Sequence, residues 1–169
     1  MNDTLIPKRL RPGFTIIEAV VSILIVGILL ASAMNLVGAS RVGQTITGQR
    51  QRAHLLASEL MEEIMAQPYE ESGPLVLNGP EPGEQNGTRS NFDDVDDYDD
   101  WYGMPPQDRD GNGIAVVGNW SRCVKVKWVK PDNLDQLVGT ESGVRLVTVE
   151  VKDGSRLLAS IQSWRTVAR

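Results

Sequence analysis

Two places in this sequence hold residue types whose spacing could do chemistry. The first is "DRDGNG", residues 108–113. Asp108, Asp110 and Asn112 occupy alternate positions, and Gly113 follows where a sharp turn is needed. Hard oxygen donors in that order suit calcium. A full calcium loop wants glutamate at its twelfth position, and here that position is Asn119. The preceding run could supply the missing oxygens: Asp93, Asp94, Asp96, Asp97, Asp99 and Asp100 crowd together just upstream. The competing reading is a polar hairpin turn beside a solvated acidic loop.

The second place is Glu18. It stands in "GFTIIEAVVSILIVGILL", and from Ala19 to Ser40 no charged residue occurs. As a helix that run extends about 33 Å, enough for a hydrocarbon core of about 30 Å. A lone carboxylate at the edge of such a segment costs several kcal/mol in lipid unless something matches it. Three readings account for it. A cleaved secretory signal would use "ASA" (Ala31, Ser32, Ala33) and release the chain after Ala33. A plain anchor would use Thr15 and Glu18 as a capping box at the helix start. In the third reading Glu18 finds its partner on another chain.

Other chemistry has little support. Cys123 and His54 are each alone of their type and lie on different predicted elements. Two carboxylates can be picked from the acidic run for acid–base work, but no separation is readable from sequence. No phosphate loop or zinc spacing is present, so an enzyme is not expected. Net charge is −5. Lys8, Arg9 and Arg11 against Asp3 give the first 13 residues +2, which leaves −7 beyond Gly13. That balance argues against nucleic acid, which needs a basic footprint. The basic tip before the apolar run favours a cytoplasmic N-terminus.

Several elements must position these residues. Val42, Ile46, Ala53, Leu56, Leu60 and Ile64 recur at helical spacing, with Arg50, Arg52, Glu59 and Glu63 opposite. The helix therefore continues beyond the apolar run to Pro68, with Gly43 and Gly48 as a place where it could loosen. Met61 and Met65 read as core packing. Residues 70–113 read as loop, with the acidic part at 91–113 and its aromatics folded onto something. Beyond it the period becomes two: 123–130, 144–153 and 156–164 read as strands, with Asp153-Gly154 as a hairpin turn and 114–117 as a short fourth strand. The expected fold is α+β: a long N-terminal helical spine, its first half transmembrane, packed on a small antiparallel sheet.

"GFTIIEAVVSILIVGILL" resembles the N-terminal segment of type IV prepilins and of the related type II secretion pseudopilins. "LLASELMEEIMAQPY" resembles the following region of minor pilins, and "NFDDVDDYDDW…DRDGNG…W" that of minor pilins in the mannose-sensitive haemagglutinin group. The resemblance implies cleavage between Gly13 and Phe14 by a membrane aspartyl peptidase and N-methylation of Phe14. It also implies that Glu18 attracts the N-terminal amine of a neighbouring subunit. Asn35 stands where many major pilins carry proline, which favours a minor pilin or pseudopilin. The implied organisation is a cleaved leader over 1–13, a helix over 14–67 crossing the membrane at about 16–40, and a periplasmic sheet domain over 68–169. Implied partners are other pilins, the prepilin peptidase, an inner-membrane assembly platform and membrane lipid. Before assembly the chain would be a single-pass inner-membrane protein, and afterwards part of a pilus or pseudopilus. The alternative is a secreted or membrane-anchored calcium-binding adhesive domain.

Overall fold

The computed structural model describes residues 13–70, 79–82, 84, 88–116 and 118–167. The expected leader, apart from Gly13, lies outside them. Helix α1 (Ile16–Ala66) is followed by two 3-10 turns, Arg89–Asn91 and Asp96–Tyr98, and then five strands. These are β1 (Tyr102–Gly103), β2 (Trp120–Lys130), β3 (Asn133–Leu137), β4 (Val144–Asp153) and β5 (Arg156–Thr166). The fold is α+β, one long helix and a small antiparallel sheet.

The chain divides into two compact units, 1–45 and 46–169, with α1 passing through the division. In the first, Thr15 opens the helix: its Oγ1 accepts from the Glu18 backbone N–H at 3.3 Å, and its carbonyl accepts from Ala19 at 3.1 Å. This is the hydroxyl half of a capping box. The apolar residues that follow face outward on every side, from Ile16 through Val37. Ser22, Ser32 and Thr45 return their hydroxyls to the carbonyls of Glu18, Ile28 and Arg41, so these polar groups need no water.

In the second unit the sheet runs β1-β2-β4-β5, with β3 paired to the end of β2. Register aligns Val124↔Val149↔Ile161 and Val126↔Val147↔Ser163. Strand alternation therefore places Val124, Val126, Val147, Val149 and Val151 on one face. Ala53, Ala57, Leu60, Met61 and Ile64 of α1 close over that face, and all ten residues are buried. Burying a side chain of the Val or Leu class contributes about 1.5–3 kcal/mol. Gly154, at φ +59°, makes the expected β4–β5 turn, and its N–H donates to Asn119.

Four expectations need correction. Val42 and Ile46 are exposed, and the buried stripe of α1 starts at Ala53, where the helix meets the sheet. Glu63 is not on a solvent face, because Arg89 holds it. Residues 114–116 form no strand: Gln107 bridges Gly113, and the Ile114 N–H donates to Pro106 at 2.6 Å. Val117 lies outside the described residues. Of the two readings of the acidic segment, the solvated loop is the one to correct: Asp94, Asp96 and Asp97 are buried, and Phe92 and Tyr98 fold inward as their type implied. Gly43 and Gly48 keep helical backbone.

Candidate functional site: the helix start and the arginine-held acidic segment

At the N-terminal end, Gly13 and Phe14 precede the helix and both are exposed. A Cβ added at Gly13 would meet nothing within 4 Å among the described residues, so no described neighbour demands glycine there. Glu18 lies in the first turn of α1, where the positive end of the helix dipole suits a carboxylate. Its side chain has no hydrogen-bond or ion-pair partner among the described residues, and it is exposed beside Ile16, Ile17 and Val20. Cap and dipole ease the carboxylate but leave its charge unmatched.

The acidic segment shows the opposite arrangement: every buried charge in it has a partner. Asp94 Oδ1 accepts from the N–H groups of Asp96 (2.8 Å) and Asp97 (3.3 Å). Asp97 Oδ2 accepts from those of Asp93 (3.0 Å) and Asp94 (3.2 Å). The two carboxylates thus hold the N–H groups at and just before the start of the second 3-10 turn. Burial pushes Asp94 up to about 7, with Asp96 adding to the rise, and pushes Asp97 up to about 6. Asp99 accepts from the Val126 N–H and from Lys127 (2.7 Å), and Asp100 pairs with Lys125. Asp100 takes a left-handed φ of +63°, which aspartate tolerates better than most residues.

Three buried arginines tie this segment to helix and sheet. Arg89 binds both oxygens of Glu63 (2.9 and 3.1 Å) and lies 4.3 Å over the Trp101 ring. Tyr98 donates to the same Glu63 at 3.0 Å. Arg122 donates to the Leu56 carbonyl on α1 (3.0 Å) and to that of Gln107, while burial lowers it to about 10. Arg145 pairs with Asp96, donates to the Tyr69 carbonyl (2.6 Å), and sits 4.4 Å over the Tyr69 ring. Gly103 makes room for this packing: a Cβ there would lie 2.7 Å from the Trp101 ring.

Sequence reading did not pick out these arginines, although a signal was present. In "VRLVTVEV" Arg145 shares the parity of Val147, Val149 and Val151, and Arg122 shares that of Val124 and Val126. Alternation alone therefore assigns both to the buried face.

The predicted metal residues come together on one turn. Asp108 accepts from the Asn112 backbone N–H (2.7 Å) and from its side-chain amide (3.0 Å), and the Gly111 N–H donates to the Asp108 carbonyl. The Asn112 amide bond holds the Asp108 carboxyl below its ordinary value. Asp110 is exposed on the same turn. The carboxylates at 94, 96, 97, 99 and 100 are engaged with backbone, lysine and arginine. Cys123 and His54 are not brought together. His54 is exposed on α1, whereas Cys123 alternates away from the helix-facing side of β2 and lies 3.7 Å from Glu150. Burial raises the Cys123 thiol, the wrong direction for a nucleophile.

A glycine that no described neighbour demands, an unmatched glutamate and an exposed apolar helix stand together at one end of the sequence. Residues 8–34 match the family described as the prokaryotic N-terminal methylation motif. That N-terminal segment is type IV prepilin-like. No curated protein and no solved structure matches the chain. The motif marks a pilin-like precursor processed by prepilin peptidase, one that associates with other pilin subunits. Helix α1 is long and apolar enough to cross a membrane, in keeping with the anchoring of a prepilin-type precursor.

Proposed function

We propose that this prepilin-like chain is a minor pilin or pseudopilin subunit. Its leader ends at Gly13, the cut falls before Phe14, and Phe14 carries the methylated amine. Before assembly the apolar helix spans the inner membrane, with the sheet domain on the periplasmic side. An assembly platform then draws the subunit into a pilus or secretion pseudopilus. Trimming creates the cation that Glu18 lacks. A carboxylate and an ammonium are each costly in lipid, and paired between adjacent helices each relieves the other. An axially misplaced neighbour leaves both unmatched, so the pair sets register while helix packing supplies most of the affinity.

The observation that carries this reading is Glu18, inside the methylation motif and without a partner among the described residues. Open space around Gly13 supports it, because the demand for glycine then comes from the processing enzyme. The test is Glu18→Val in the native host. Trimming is expected to proceed normally, and the amount of this subunit in sheared filaments is expected to fall at least about tenfold, the equivalent of 1.4 kcal/mol. Normal incorporation of the valine variant would overturn the charge-matching role.

A further inference from the structure

Strand β5 is an edge of the sheet. It pairs with β4 from Val144↔Thr166 to Asp153↔Arg156, and no strand pairs with its other side among the described residues. The strand is eleven residues long, and "RLLASIQSWRT" contains no proline and no acid. Edges of that length are normally blunted by proline, inward charge or repeated bulges, and of these β5 carries one inward charge, Arg165. The one irregularity here lies near the turn, opposite Val151/Lys152. The edge thus presents unpaired N–H and C=O groups, with Leu157 and Trp164 more than two-fifths exposed.

One row of the sheet is electrostatically incomplete. Register aligns Trp128, Arg145 and Arg165 across the helix-facing side. Arg145 is paired with Asp96, Tyr69 and Glu141, and of its donors the Nε is buried without an acceptor. Arg165 has no hydrogen-bond or ion-pair partner among the described residues, and its Nε is buried without an acceptor. Its cross-strand neighbour is another cation, an unfavourable pairing. From these features we infer that the β5 edge receives an extended acidic segment of another polypeptide chain by strand addition, with a carboxylate on Arg165.

Three features select that occupant. The unpaired backbone calls for a strand. The absence of acids on β5 and the unpartnered Arg165 call for a carboxylate on the helix-facing side, whereas Arg156 is already held by Asp153 and Gln49. Leu157 and Trp164, which pair with Lys152 and Leu146 on the other side, call for apolar side chains at the alternate positions. The inference does not depend on the pilin reading, since recognition uses only the sheet.

The test uses the full chain in detergent micelles and a fluorescent nine-residue peptide alternating valine with glutamate. A valine–lysine peptide serves as its counterpart. The glutamate peptide is expected to bind, to slow amide exchange along β5, and to outcompete the lysine peptide. Arg165→Glu is expected to weaken glutamate-peptide binding at least about tenfold, and Arg165→Lys to retain it. Folding is checked by melting: Arg165→Glu is expected to melt no lower than the parent, because its carboxylate faces Arg145. Absence of glutamate-peptide binding, equal binding of both peptides, indifference to Arg165→Glu, or protection of amides outside β5 would each overturn the inference.

Discussion

The first unit of this chain and its acidic segment invert the usual rule of burial in opposite senses. From Ile16 through Val37 the large apolar side chains of α1 are exposed on every side. In the acidic segment charged groups are buried instead: Arg89, Asp94, Asp96 and Asp97, with Arg145 reaching Asp96 and Arg122 reaching the Gln107 carbonyl from the sheet. The first arrangement is stable only if something apolar surrounds the helix, either lipid or other helices. The second is stable by itself, because backbone amides and arginines satisfy each buried carboxylate. One region is therefore incomplete without surroundings, and the other is closed on itself. Glu18 belongs to the first kind, a charge left unmatched among the described residues.

That contrast can be broken most sharply at Arg145. Replacing it with alanine leaves Asp96 buried without its cation and frees the Tyr69 carbonyl. Removing one partner of such a pair costs about 3–5 kcal/mol. Denaturant unfolding of the Arg145→Ala chain in micelles is expected to shift its midpoint accordingly. An unchanged midpoint would mean that the acidic segment is not held as described.

A smaller effect separates the two kinds of carboxylate by pH. Asp94 and Asp97, at about 7 and about 6, stand above the ordinary 3.8. A raised folded-state value means that the native state holds the proton more tightly than the unfolded chain does. Their contribution to stability is therefore full below about 4 and is lost as pH rises through 6 and 7. Asp94→Asn keeps the oxygen that accepts the Asp96 and Asp97 N–H groups and removes the titration. Its melting temperature is expected to exceed that of the parent at pH 8 and to match it near pH 4. A parallel pH profile for both proteins would contradict the assignment.

The smallest effect is expected from calcium. Asp108 already accepts both Asn112 bonds, and the neighbouring carboxylates are engaged elsewhere. Adding calcium to the chelated protein is expected to leave its melting temperature unchanged. A rise of several degrees that Asp108→Asn abolishes would make the 108–112 turn a cation site, whereas a rise that survives it would point to Glu81, Glu84 and Asp97.

What the sequence made legible follows the same division. Strand β4 was readable to its ends because valines alternate through it, and β5 because Asp153-Gly154 announces a turn. The helix end was readable at Pro68, and the α+β class from the change of period. Strand β3 was not legible: "NLDQL" has neither alternation nor β-branched residues, and all five positions are exposed, so only its pairing with β2 makes it a strand. The burial of Asp94, Asp96 and Asp97 was hidden for another reason. Acid-rich composition reads as solvated unless its partners are known, and Arg145 lies 49 residues beyond Asp96. At the helix start the residue types carried the reading directly, because a glutamate in an uncharged run conflicts with its surroundings.

The account rests on the claim that Phe14, freed from Gly13, supplies the amine that Glu18 lacks. Intact mass and N-terminal sequencing of the native protein test this most directly. The predicted result is a chain beginning with N-methylated Phe14. A functional chain that keeps residues 1–13, or one that begins at Met34, would contradict it.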